Sequence, residues 1–551
     1  MHPDAPARSS KPGRPQAAEN EISADDVLSL SPGVTLTLAE DALVMSGQLA
    51  TKRSRSCLSC LPVSATKGTP NSIPYYNILW AEVTADRRWL NVDYADQERP
   101  HFLVARSAKF ALSELAIEGT STTPIEDHTS SWIERLLDRA YAGAARRKRA
   151  WVLVNPHAGP GGADKIWEQQ VRPIFVAARM PMTVVRTTYS GEAVDLARDI
   201  NIDDYDIAVP CSGDGLPHEV FNGLAKRADA RRALSKIAVC HIPCGSGNAM
   251  SCNLYGTHRP TLAALAIVKG VPTPLDLVSI THGDQRTISF LSQALGMIAE
   301  LDLGTEHLRW MGSTRFACGF MMLAFQRKTY PCDIAVKVEI ENKEDVKKHY
   351  RQQVIQSGPE NSRLRDQSRD PRSNMGDEQS SVSTPDSKSA ESDNGLGLPP
   401  LKYGTVMDKL PDGWEIVPHE KLGSFYCGNM AYMAPDLNFF SAALANDGLM
   451  DLITSDGDIS PLKSMGLQLS VESGHFFDSP LVSYRKVSAY RVIPRSQGPG
   501  YISIDGEAIP FGPFQAEVHQ GLGLTLSKKG MFEAPGPQNW DTVTNSERLL
   551  A

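Results

Sequence analysis

Three hydrophobic patterns succeed one another along this chain. From Val34 to about Glu118, short segments alternate apolar and polar residues, as in Val34-Thr35-Leu36-Thr37-Leu38, Ile78-Leu79-Trp80-Ala81-Glu82-Val83 and Phe102-Leu103-Val104-Ala105. A period of two predicts half-buried strands. Trp132, Ile133, Leu136, Leu137, Ala140 and Tyr141 then recur at helical spacing. Between Trp151 and about Ile280, compact apolar runs alternate with helical patterns; the runs are Trp151–Asn155, Thr183–Thr187, Ile207–Val209, Ile237–His241 and Leu275–Ile280. That alternation predicts an α/β domain with a parallel sheet. Beyond Ile280, strands separated by turns predict a β-sandwich-like domain, which resumes at Ser424-Phe425-Tyr426-Cys427 and runs to Gly521–Leu526.

The expected organisation follows from these patterns. Residues 1–30 are polar and read as disordered. Residues 31–145 read as a small β-rich regulatory region closed by one helix, similar in outline to a pleckstrin-homology unit. Residues 146–280 form the α/β domain, 281–535 the β-sandwich domain, and 536–551 a polar tail. The stretch 342–401 is dense in Ser, Asp, Arg, Pro and Gln, and reads as a disordered insertion. Within it, Ser383-Thr384-Pro385 is a phosphorylation candidate. Arg146-Arg147-Lys148-Arg149 reads as a solvated basic link, with contact to anionic lipid as the sharper alternative.

Composition narrows the function classes. Apolar and charged fractions of 41% and 22% are those of a soluble globular protein, and a net charge of −8 weighs against non-specific nucleic-acid binding. No apolar run reaches the roughly 18–20 residues that span a bilayer, and the N-terminus lacks the apolar centre of a secretory signal. A cytoplasmic protein that touches membranes peripherally is expected; the sequence leaves a homodimer open. Cys57-Leu58-Ser59-Cys60, flanked by Lys52, Arg53 and Arg55, reads either as an inert loop or as a site of reversible acylation.

The candidate chemistry lies in three glycine turns. Asn155-Pro156-His157-Ala158-Gly159-Pro160-Gly161-Gly162 follows a strand and opens a helix, yet is neither a Walker loop nor GxGxxG. Ser212-Gly213-Asp214-Gly215 follows Ile207-Ala208-Val209, and Cys244-Gly245-Ser246-Gly247-Asn248 follows Ile237–Ile242. Such turns expose amides that attract phosphate. Of the last two, only the former carries an acid at its tip, where it can take a proton from an incoming hydroxyl. Asp is also a favoured helix N-cap, but a cap does not need glycine on both sides. The pattern reads as phosphoryl transfer.

On these residues the chain resembles the sphingoid-base kinases of the diacylglycerol-kinase superfamily. The resemblance rests on Ser212-Gly213-Asp214-Gly215-Leu216…His218-Glu219-Val220…Asn222-Gly223-Leu224 and on Pro243-Cys244-Gly245-Ser246-Gly247-Asn248-Ala249. It extends through Gly296–Asp302 with Glu306, Arg309 and Arg315, Gly448–Leu452, and Asp505-Gly506-Glu507. It implies a lipid kinase that uses ATP and Mg²⁺, with Asp214 as general base. Asn155, Pro156, His157, Thr187, Ser212, Glu219, Gly245, Ser246 and Gly247 would line the nucleotide site, together with Arg309, Arg315, Asp505, Gly506 and Glu507. Asp505 and Glu507 would hold the metal. Asp302 would anchor the substrate's amine, beside Ser212, Gly213 and Gly215. Ceramide or diacylglycerol kinase, or a lipid-binding scaffold without activity, are the alternatives. The chain departs from the family at His157-Ala158-Gly159-Pro160, which replaces a basic run, at Pro217, and at Gly191-Glu192-Ala193.

Overall fold

The computed structural model describes residues 23–30, 33–47, 71–112, 123–159, 161–305, 319–320, 322–323, 325–356, 396–495, 500–537 and 540. The chain divides into two compact units: Met1–Val92 with Ser107–Ala140, and Asp93–Arg106 with Tyr141–Ala551.

In the first unit, Val27–Leu30, Val34–Leu38, Ala42–Ser46 and Ser72–Pro74 pair in that order as an antiparallel sheet. Val34, Leu36 and Leu38 are buried in alternation with partly exposed threonines, as the period of two requires. The helix Thr123–Tyr141 buries the stripe Trp132, Leu136, Leu137 and Ala140. Its Arg139 bonds the Leu38 carbonyl at 2.9 Å and pairs with Asp26 at 2.9 Å.

The second unit contains the predicted parallel sheet. Its strands are β1 (Ala150–Val154), β2 (Met182–Arg186), β3 (Ile207–Ser212), β4 (Ala238–Val239) and β5 (Ile242–Pro243). The order is β4-β3-β1-β2, and β5 also pairs with β3. Every residue of β1 and β3 is buried, which is why both read as unbroken apolar runs. The helices needed below are α1 (Glu192–Asp199), α2 (Gly215–Ala225) and α3 (Ala249–Tyr255). Helices α1 and α2 approach closely at Gly223, where a Cβ would stand 2.4 Å from the Val194 carbonyl oxygen. The three glycine turns all leave the carboxyl ends of parallel strands, the edge where α/β sheets bind ligands.

Leu275–Ile280, expected in this sheet, lies elsewhere. It belongs to β6 (Val271–His282), which runs antiparallel to the strand Phe514–Ser527. Short apolar runs do not declare their partners, so the sequence could not tell these sheets apart. Apart from the small hairpin Tyr432–Ala434 with Leu437–Asn438, the described strands of the second half make one hydrogen-bonded network of 11, in which Phe514–Ser527 lies between β6 and Ser483–Pro494. Helix α2 carries the core shared with the parallel sheet: Val220, Phe221 and Leu224 cluster with Leu153, Leu275, Leu277 and Phe290.

Three further expectations change. The insertion opens with a helix, Lys343–Gln356, whose Val346 is buried; residues 357–395 lie outside the described residues. The tail, expected only to be polar, carries a core residue: Trp540 is buried against Phe477 and Tyr350. In the basic link, Lys148 is buried and donates to the Val268 carbonyl at 2.8 Å, while Arg149 pairs with Asp206 at 2.7 Å. Both contacts use partners distant in sequence. Cys57 and Cys60 lie outside the described residues.

Candidate active site

Asp214 sits at the first position before α2, but its carboxylate does not cap that helix. It crosses to α3, where Oδ2 accepts the Ala249 amide at 3.0 Å and Oδ1 the Met250 amide at 2.9 Å. Two backbone donors thus fix the side chain, which stays 13% exposed. The glycines beside it allow this approach. A Cβ at Gly245 would stand 2.4 Å from the Gly213 Cα, so the second and third turns touch backbone to backbone. Asn248, in the left-handed region at φ 57°, closes the third turn by exchanging bonds of 2.8 Å with the Gly245 amide and carbonyl.

These turns border a cavity of about 460 Å³. Asn155, His157, Thr187, Ser212, Gly213, Asp214, Gly215, Glu219, Gly245, Ser246 and Gly247 line it, as do Asp302, Asp505, Gly506 and Glu507. Pro156 is not among the lining residues. Arg309 and Arg315, like Glu306, lie outside the described residues. The remaining wall was not read from the sequence: Ile298, Leu301, Tyr426, Met433, Leu437 and Phe439 give the cavity an apolar part. Each stands in an ordinary core pattern, so only the fold reveals that these side chains face a void.

Several lining residues also hold the site together. The Asn155 side chain accepts the His157 amide at 3.0 Å and shapes the first turn. Glu219 accepts the Gly191 and Ala193 amides at 3.1 Å each, and so caps α1. Burial raises its pKa, with those two amides opposing. Asp302, on the helix Met297–Gly304, accepts the Ser503 hydroxyl at 2.7 Å. Burial pushes the Cys244 and Cys252 thiols up to about 12, which removes both as nucleophiles at neutral pH.

Asp505, expected as a metal ligand, has its carboxylate engaged by the protein. Its buried carboxylate accepts the Ser289 hydroxyl at 2.6 Å and the amides of Phe290, Leu291 and Ser292 at 2.9–3.0 Å. The His218 ring lies 2.8 Å from Oδ2. Five protein donors occupy a group that offers about four lone-pair positions. Glu507, two residues on, lies at the cavity with Oε1 2.9 Å from where a Gly215 Cβ would be. No cluster of three or more metal-binding side chains occurs among the described residues.

The chain is similar in sequence to known proteins. The diacylglycerol kinase catalytic domain matches residues 149–280, and a domain of unknown function, DUF7493, matches residues 26–142. Sphingoid long chain base kinase 4 of Schizosaccharomyces pombe is 33% identical over 87% of this chain and 93% of its own length. The chain belongs to the sphingoid long chain base kinase family. Sphingoid long chain base kinase 5 of Saccharomyces cerevisiae is 35% identical over 73% of this chain, which spans 62% of that relative's length. Sphingosine kinase 1 of Homo sapiens is 27% identical over 70% of this chain and 92% of its own. A putative diacylglycerol kinase structure from Bacillus anthracis is 16% identical over 70% of this chain and 96% of its own, with a TM-score of 0.46. Membership in this kinase family implies the use of ATP.

Proposed function

We propose that the protein transfers the γ-phosphoryl group of ATP to the primary hydroxyl of a sphingoid long-chain base, giving the 1-phosphate. The observation that carries this reading is Asp214. Two helix amides hold its carboxylate at the edge of a cavity that joins glycine turns to an apolar wall. Phosphoryl transfer asks a protein mainly for alignment and charge neutralisation. The turns around Asn155, Ser212 and Gly245-Ser246-Gly247 offer amides to the phosphates, with Arg309 and Arg315 as guanidinium partners. The apolar wall takes the aliphatic tail. Asp214 takes the hydroxyl proton as the oxygen attacks the γ-phosphorus and the bond to the β-phosphate oxygen breaks towards ADP.

Mg²⁺ bound to the nucleotide would neutralise phosphate charge. Glu507 is the acid placed to meet it, and Asp505 acts by fixing the turn that carries Glu507. Asp302 sets the substrate class. A carboxylate in a half-apolar cavity favours a free ammonium, which a sphingoid base has and which ceramide and diacylglycerol lack. The substrate resides in a bilayer, so the protein works peripherally at a membrane from the cytoplasmic side. Residues 1–145, with acylation at Cys57 and Cys60, are the proposed means of recruitment. No described helix is long and apolar enough to cross a membrane.

Purified protein with ATP and Mg²⁺ is expected to phosphorylate sphingosine or phytosphingosine in preference to ceramide or diacylglycerol. Asp214→Asn is expected to lower kcat by about 10²–10⁴-fold while nucleotide binding by calorimetry stays intact. Preferential phosphorylation of ceramide would overturn the Asp302 reading, and parental turnover in Asp214→Asn would overturn the base.

A further inference from the structure

His241 lies between β4 and β5 and is wholly buried. Its Nε2 is 3.0 Å from the Ser212 carbonyl oxygen. A carbonyl only accepts, so the ring proton sits on Nε2 and Nδ1 carries a lone pair. That Nδ1 has no hydrogen-bond partner among the described residues. Asp214 Oδ1 lies 3.8 Å from it. Buried polar atoms are seldom left unpaired, and this one stands beside the carboxylate that receives a proton in each turnover.

We propose that His241 is the proton partner of Asp214, an inference that rests on Asp214 being the base. The hydroxyl O–H bond breaks and its proton moves to an Asp214 carboxylate oxygen. As the pair closes from 3.8 Å to hydrogen-bond distance, the protonated acid donates to Nδ1, or passes the proton to it. The protonated acid then gains a partner that the resting carboxylate lacks. His241 touches no substrate; it is a positioning residue that acts through Asp214.

The surroundings fit. Burial pulls the His241 pKa down, opposed by the Asp214 charge and the Ser212 carbonyl, so the ring rests neutral with its lone pair available. Among the described residues, the Asp214 carboxylate is the charge that acts on the ring. The Tyr255 hydroxyl accepts the His241 backbone amide at 3.3 Å, and the Cys252 and Cys244 thiols are held up at about 12.

The test is His241→Gln, which can keep an N–H on the Ser212 carbonyl but offers no basic nitrogen. With sphingosine and ATP saturating, kcat is expected to fall about tenfold, less than the roughly 10²–10⁴-fold typical of a general acid or base itself, because His241 acts through Asp214. The acidic limb of the kcat–pH profile should move to lower pH, because the variant lacks the basic nitrogen that accepts the proton. The KM for ATP should hold. An unchanged kcat and limb overturn the proposal; so does a fall in kcat with the limb in place, which marks packing alone. If this variant does not fold, the His241 Cε1–H resonance followed against pH in Asp214→Asn answers the question. Its midpoint should drop once the neighbouring charge is gone, and an unmoved midpoint overturns the proposal. Loss of activity in Asp214→Asn with an unmoved midpoint separates failure of the pair from failure of the base.

Discussion

Two acids of the same family motif series do different work, and their partners say why. Asp214 spends two acceptor positions on amides and keeps a face to the cavity, whereas Asp505 spends its carboxylate on five protein donors. Asp505→Ala would leave a hydroxyl, three amides and a histidine ring unpaired in the interior. The expected cost is about 3–5 kcal/mol of stability, read by chemical denaturation and equal with and without Mg²⁺. A loss seen only as weaker Mg²⁺ affinity would return Asp505 to the role of metal ligand. Asp214 was legible in the sequence because the glycines on both sides mark a place where ligand and backbone meet. Asp505 was legible only as a motif member, since its strand-side partners lie 213 to 216 residues away. His241 left a weaker trace, a polar residue inside an apolar run.

Among elements, what could be read was what local periodicity sets. The strands Val34–Leu38 and Ile78–Val83 stand where the alternation put them, and the parallel strands β1 to β3 agree within a few residues. Elements secured by a distant partner were not legible. The helix Lys343–Gln356 is polar apart from a few positions, and read alone it suggests disorder. Trp540 supplies its partner: the indole packs 5.4 Å from the Tyr350 ring and 4.6 Å from Phe477, and its carbonyl accepts Arg351 Nε at 2.9 Å. Trp540→Ala is therefore expected to cost about 3–5 kcal/mol. Hydrogen exchange should quicken in the helix Lys343–Gln356 while the amides of α3 keep their protection; equal protection in both forms would contradict the anchoring.

For the molecule as a whole, β6 ties distant segments through one buried acid. Asp276 accepts the Gly448 amide at 2.6 Å and the Gly521 amide at 2.7 Å. Burial, with the Asp447 charge acting the same way, pushes its pKa up to about 7, against the pull of those amides and Lys486. The folded protein therefore holds a proton that the unfolded chain releases near pH 4. Stability from this group is present at low pH and lost as pH rises to about 7, by at most about 1.4 kcal/mol per pH unit. Denaturant midpoints across that window should fall less steeply in Asp276→Asn than in the parent; identical slopes would refute the assignment.

The strand Phe514–Ser527 lies inside its sheet, not at an edge, and Thr525 reaches across 286 residues to the Val239 carbonyl at 2.7 Å. On the ribosome, then, the parallel-sheet half emerges long before the strand that completes its surroundings. Until that strand arrives, β6 waits with an unmatched edge and sticky apolar side chains. Such a nascent chain is expected to be prone to aggregation, and a premature stop upstream of Phe514 is expected to yield no smaller folded protein.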